Sequence, residues 1–146
     1  MLVRLMYASR VADTLKPEGL KPDALHAILK KSTTNNPAVG VTGVLCFSGS
    51  VFLQVLEGGR SQVSALYNRI AADPRHRDVV LLTYDEIAER RFAGWAMGQV
   101  NMNMLNPSLL LKYSEAAVLD PYAVSGAVSM ALFNELVATA SVMCLG

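Results

Sequence analysis

The stretch Val41 to Gly59, VTGVLCFSGSVFLQVLEGG, sets two apolar runs on either side of Ser48-Gly49-Ser50 and places a single amide, Gln54, inside the second run. Runs rich in Val, Leu and Phe, joined by three residues with a central Gly to supply a positive φ, predict a β-hairpin. Strand side chains alternate between faces, so Phe52, Gln54 and Leu56 share one face while Val51, Leu53 and Val55 share the other. Gln54 therefore points the same way as two large hydrophobes. A primary amide in that setting costs about 1–3 kcal/mol without a partner, so a backbone group, a side chain or a ligand has to meet it.

The rest of the chain supplies a sheet around the hairpin. Leu2 to Tyr7 alternates as a first strand with Tyr7 at its end, and Ala8 to Lys21, with Pro17 and Gly19, reads as a loop. Pro22 and Asp23 open a helix with the stripe Leu25, Ile28 and Leu29, and Asn35-Asn36-Pro37 ends it. A second helix from about Ser61 to Ala72 carries Val63, Leu66, Tyr67 and Ile70 at helical spacing. Strands follow at Asp78 to Ile87 and at Ala96 to Met102. The order strand, helix, strand, strand, helix, strand, strand predicts an α+β, ferredoxin-like βαββαββ sheet with both helices on one face. Residues 105–146 should cover the other face: Asn106-Pro107-Ser108 caps a short helix through Lys112 or Tyr113, and Asp120-Pro121 starts a longer one towards Val142.

Composition narrows the function. At 146 residues the chain is one domain in size, and 52% hydrophobic content with a mean hydropathy of +0.31 predicts unusual burial, of a ligand or of a partner surface. A net charge of +1 without runs of like sign gives no footprint for nucleic acid or an anionic membrane. Cys46 and Cys144 have no metal-ligand spacing and suit a reducing, cytoplasmic setting. MLVRLMYAS lacks the pattern of a secretory signal. The polar residues among 122–146 argue against a membrane span. No nucleophile-and-base set, paired metal ligands or glycine-rich phosphate loop appears, so hydrolytic or metal-dependent catalysis is not supported.

Singly, the polar candidates have ordinary explanations. Tyr7 at a strand end buries its ring and sends its hydroxyl to water or backbone, Asn35 and Asn36 stop a helix, and Trp95 and Met97 fill a core. Together, Tyr7 on the first strand, Asn36 in NNPAVGVTGVL, Gln54 in FLQVLEG, Arg69 and Asp73 in NRIAADPRH, and Trp95 with Met97 in FAGWAM make a chain that resembles the BLUF family of flavin-using blue-light sensors. The likeness covers about Leu2 to Met104, which is taken as a sensor domain at 1–104 followed by a helical extension at 105–146.

The resemblance implies a flavin, usually FAD, lying between the two helices against the sheet, although the sequence does not separate FAD from FMN. It implies that Tyr7 and Gln54 form the photoactive pair, that Asn36 holds the ring's polar edge and that Arg69 contacts its pyrimidine side. It further implies cofactor-binding places for Ile28, Asn35, Phe52, Asp73, His76 and Met97, and a switching role for Trp95 and Met97. Light would draw an electron and a proton from the tyrosine and return them, leaving the glutamine rearranged. With no output domain following, a separate effector protein and a homo-oligomer are expected, the latter from apolar residues such as Val124, Val128, Leu132, Phe133, Leu136 and Val137. An acylphosphatase-like hydrolase or a colourless assembly module on the same sheet are the competing readings, and a yellow protein separates the sensor from both.

Overall fold

A computed structural model describes residues 1–11, 38–48, 50–94, 98–101, 107–138 and 143–144. Its strands are β1 (Leu2–Val11), β2 (Thr42–Ser48), β3 (Val51–Gly59), β4 (His76–Ile87), β5 (Gly98–Asn101) and β6 (Met143–Cys144). Its helices are α1 (Arg60–Ala72), α2 (Pro107–Tyr113) and α3 (Gly126–Ala138). The sheet runs β4-β1-β3-β2-β5-β6. The first four strands pair antiparallel with one another in the ferredoxin-like arrangement; β5 adds parallel to β2 and β6 antiparallel to β5. The helix expected after Pro22 lies outside the described residues.

The hairpin forms as the sequence requires, β2 and β3 pairing from Ser48 opposite Val51 to Thr42 opposite Glu57. Gly43 is needed at a close approach between these strands, because a Cβ there would lie 2.0 Å from the carbonyl oxygen of Val55. Alternation along β1 and β3 divides the core. Val3, Leu5, Tyr7, Phe52 and Leu56 face α1, whose Val63, Leu66, Tyr67 and Ile70 pack against them. Met6, Ala8, Leu53 and Val55, with Val44 and Cys46, face the other way and are covered by Leu110 of α2 and by Leu132, Phe133 and Leu136 of α3. The C-terminal helices thus close the second face.

Several boundaries differ from expectation, each for a local reason. β1 continues through Val11, not Tyr7, because Ala8, Ser9 and Arg10 pair with Leu53, Phe52 and Val51, and the Val11 N–H donates to the Ser50 carbonyl at 2.7 Å. Tyr7 is therefore in mid-strand. The long C-terminal helix begins at Gly126, not at Asp120. Asp120 closes a turn by accepting from the Tyr122 N–H at 3.1 Å, while the Ser125 hydroxyl caps the helix by accepting from the Val128 N–H at 3.2 Å. The Tyr122 hydroxyl then donates to the Asp78 carbonyl at 2.8 Å, tying this turn to β4. The two-residue strand β6 had no signal in the sequence. Leu132, Phe133 and Leu136, counted above towards an oligomer surface, are buried against the chain's own sheet. The exposed large hydrophobes include Val80, Leu81 and Tyr84 on the edge strand β4.

Candidate functional site

The face towards α1 holds the one polar pair the sequence singled out. Tyr7 and Gln54 are direct cross-strand partners, 1% and 4% exposed, and the phenol donates to Gln54 Oε1. Around them lie Phe52, Leu56 and Leu45, all buried. β1 shifts register against β4 between Met6 and Tyr7 and again between Ala8 and Arg10. Bulges of this kind re-aim side chains, and here they bracket Tyr7 and Ala8, with Ser9 inside the second. Opposite the second shift Asp78 adopts φ +52°, the left-handed region that Asp tolerates better than most residues.

Burial pushes the Tyr7 phenol far above its ordinary range, with nearby Tyr67 and Asp73 adding to the effect. The phenol is accordingly a proton donor at any physiological pH. The Tyr67 ring meets it edge-on at 5.7 Å between centroids. Next to Tyr7 on the same face, the fully buried Ser9 hydroxyl lies 2.8 Å from His76 Nδ1, and the His76 ring tilts against Phe52 at 5.2 Å. Burial lowers the His76 pKa, against the upward pull of Asp73. Asp73 caps the end of α1 and is held by Arg75, whose Nη2 is 2.6 Å from Oδ2; that hydrogen bond is the main reason its carboxyl falls to about 2.

Tyr7, Phe52, Gln54, Asp73 and His76 are thus gathered at one end of this face. Arg69 is in the last turn of α1 and exposed. Ile28, Asn35, Asn36, Trp95 and Met97 lie outside the described residues. Sequence reasoning missed Ser9 and Tyr67 as neighbours of the pair, although Ser9 is two residues from Tyr7 and Tyr67 belongs to the helical stripe already recognised. It also missed Glu57, a fully buried carboxylate at the end of the same strand as Gln54. Among the described residues no cluster of His, Cys, Asp or Glu could hold a metal ion, and no helix is long and apolar enough to cross a membrane.

A ferredoxin-like sheet is shared by small domains of many unrelated functions, and comparison with known proteins narrows them. The chain belongs to the BLUF family, described as sensors of blue-light using FAD, whose profile matches residues 2–98. It is 32% identical over 111 residues to the photoactivated adenylate cyclase subunit beta of Euglena gracilis, covering 76% of this chain and 13% of that one. It is 38% identical over 92 residues to the blue light- and temperature-regulated antirepressor BluF of Escherichia coli (strain K12), covering 63% of this chain and 22% of that one. The chain therefore spans less than a quarter of either relative. Among solved structures it resembles BlsA in a photo-activated state, with a TM-score of 0.79 and 30% identity over 93% of this chain and 94% of that one.

Proposed function

We propose that this protein is a blue-light photoreceptor in which Tyr7 and Gln54 read the state of a non-covalently bound flavin, FAD in preference to FMN. The observation that carries this is the buried pair itself: a phenol that stays protonated and an amide, facing each other across β1 and β3 on an apolar surface. The donor set suits the group. An amide offers two N–H donors besides the oxygen that Tyr7 uses, and the N5 and C4-carbonyl edge of an isoalloxazine presents acceptors. The surrounding Phe52, Leu45 and Leu56 side chains match its flat apolar body, and Phe52 and His76 add aromatic surface beside it.

A bound isoalloxazine supplies light absorption and a reversible one-electron acceptor. With that acceptor bound, Tyr7 would yield one electron to it together with its hydroxyl proton along the bond to Gln54, and would regain both on return. Gln54 is left rotated or tautomerised, with its donors and acceptor exchanged, and the altered pattern is the dark-reversible signal. Asn36 and Arg69 are assigned to the ring's polar edge and pyrimidine side, Ile28, Asn35, Asp73 and His76 to further contacts, and Trp95 and Met97 to the switch, on the strength of the family resemblance. The protein performs no net reaction.

Residues 1–104 act as the sensor and 105–146 as the element that carries its output to a separate effector protein, supported by the seating of α2 and α3 on the face opposite the pair. Self-association is part of this reading, supported by the exposure of Val80 and Leu81 on β4, as is a cytoplasmic setting, in keeping with the free buried thiol of Cys46. Purified protein should be yellow, release FAD on heating as identified by chromatography, and show a reversible red shift under blue light. A colourless protein, or a normal shift in Tyr7→Phe or Gln54→Leu, would overturn the assignment.

A further inference from the structure

The Tyr7–Gln54 pair and the C-terminal helices lie on opposite faces of the sheet, so a signal between them has to cross it. Glu57 stands three residues beyond Gln54 on β3, with the parity of Leu53 and Val55 and therefore on the α3 side. It is fully buried. Its carboxylate accepts from Arg4 Nε at 2.8 Å, from the Arg91 backbone N–H at 3.1 Å and from the Phe92 backbone N–H at 2.6 Å. Its carbonyl and the Thr42 hydroxyl accept from Arg90, at 3.5 and 3.2 Å. The turn so held grips α3 through two side chains. The Phe92 ring meets Phe133 edge-on at 6.4 Å, and the Arg91 guanidinium donates to Asn134 Oδ1.

A buried carboxylate is expensive to desolvate, and an apolar residue packed against Val55 would close this face at less cost, so stability alone does not account for it. What the carboxylate adds is direction. Several charge-assisted bonds fix the peptide at 91–92 relative to β1 and β3, whereas apolar packing lets neighbours slide. In sequence the same turn stands three residues before Trp95. We propose that Glu57 is a positioning residue which couples β3 to α3, so that a rearrangement at Gln54 is passed through the 91–92 peptide to Phe133 and Asn134. This role rests on the photoreceptor assignment above.

The test is hydrogen–deuterium exchange of peptides covering 126–138 in the full flavin-loaded chain, in darkness and under blue light, for the wild type, Glu57→Gln and Phe92→Leu, with absorption recorded on the same samples. Light is expected to change exchange in α3 of the wild type. In Glu57→Gln the red shift keeps its size while the light-minus-dark difference in α3 shrinks by about threefold or more. A purely structural role would raise exchange equally in both conditions and leave the difference intact, which overturns the proposal. A wild type that shifts normally with no change in α3 also overturns it, and leaves the photoreceptor assignment standing. A wild type without any light-induced shift overturns both. If Glu57→Gln does not fold, Phe92→Leu, which keeps the backbone donor and loses the ring contact, decides by the same criterion.

Discussion

Tyr7 and Gln54 face each other across β1 and β3 as a register pair, so the sheet itself, more than either side chain's rotamer, sets the geometry of the phenol-to-amide bond. Removing the hydroxyl in Tyr7→Phe takes one donor from a buried amide, with an expected loss of about 1–2 kcal/mol in a urea melt. The flavin stays bound, because the ring's apolar contacts with Tyr67 and the neighbouring strand remain. Light-minus-dark absorption should then show no red shift. Retention of flavin together with loss of the shift separates a photochemical role for the hydroxyl from a structural one.

Acid stability reports on the end of α1. Asp73 titrates at about 2 in the folded protein against an ordinary value of 3.8, chiefly through its hydrogen bond to Arg75. A lowered carboxyl pKa contributes stability that is complete above about pH 4 and is lost as pH falls towards 2. Both partners are partly exposed, so solvent screening limits the contribution to the order of 1 kcal/mol. Asp73→Asn should flatten the fall of the urea midpoint between these pH values, the variant and the wild type converging only as pH falls below the folded-state value. His76 adds a second slope of the same sign. Its lowered pKa means that stability is complete above the ordinary value of 6.5 and declines as pH falls through the folded-state value, which an NMR titration of the imidazole should place below 6.5.

How much of this was legible can be judged residue by residue. Gln54 announced itself because an amide between Phe52 and Leu56 violates the alternation around it, and Tyr7 could be paired with it once the ferredoxin-like order put β1 beside β3. The division of the core between two faces followed from the same period-two pattern. Ser9 was hidden for a physical reason: Ala8 and Ser9 are weak strand formers, and only burial between β3 and β4 holds them extended. The start of α3 was misplaced because Asp120 and Ser125 are both good caps, and what decides between them is tertiary, the packing of Gly126 against Leu82, where a Cβ would lie 2.7 Å from the carbonyl oxygen. Glu57 resembled the polar end of a strand, since its partners are backbone amides 34 and 35 residues away.

Gly43 offers a test of the hairpin. A methyl group there would sit 2.0 Å from the Val55 carbonyl oxygen, a backbone atom that moves only if β2 and β3 separate. Gly43→Ala should therefore cost more than the ~1 kcal/mol typical of a point substitution and lower the thermal midpoint correspondingly. Because Val55 adjoins Gln54, separating the strands also disturbs the phenol–amide pair, and the dark flavin spectrum should shift in the variant even where it still folds.

The strongest consequence of the fold concerns the C-terminal helices. Met6, Val44, Leu53 and Val55 on the sheet are completely buried, and α3 covers them with Leu132, Phe133 and Leu136. At roughly 25 cal/mol per Å² of apolar surface, a face of this kind left bare is an aggregation site rather than a tolerable surface. Phe133→Ala should cost ~3–5 kcal/mol, as deletion of a fully buried aromatic does, and also loosen the turn at Phe92 whose ring it meets. A fragment ending at residue 104 should go further and be insoluble or aggregated on gel filtration, with flavin binding lost in consequence. A monomeric 1–104 fragment that binds flavin and melts like the full chain would mean that the sensor folds without its cover, and that α2 and α3 are docked on the sheet without being part of its core.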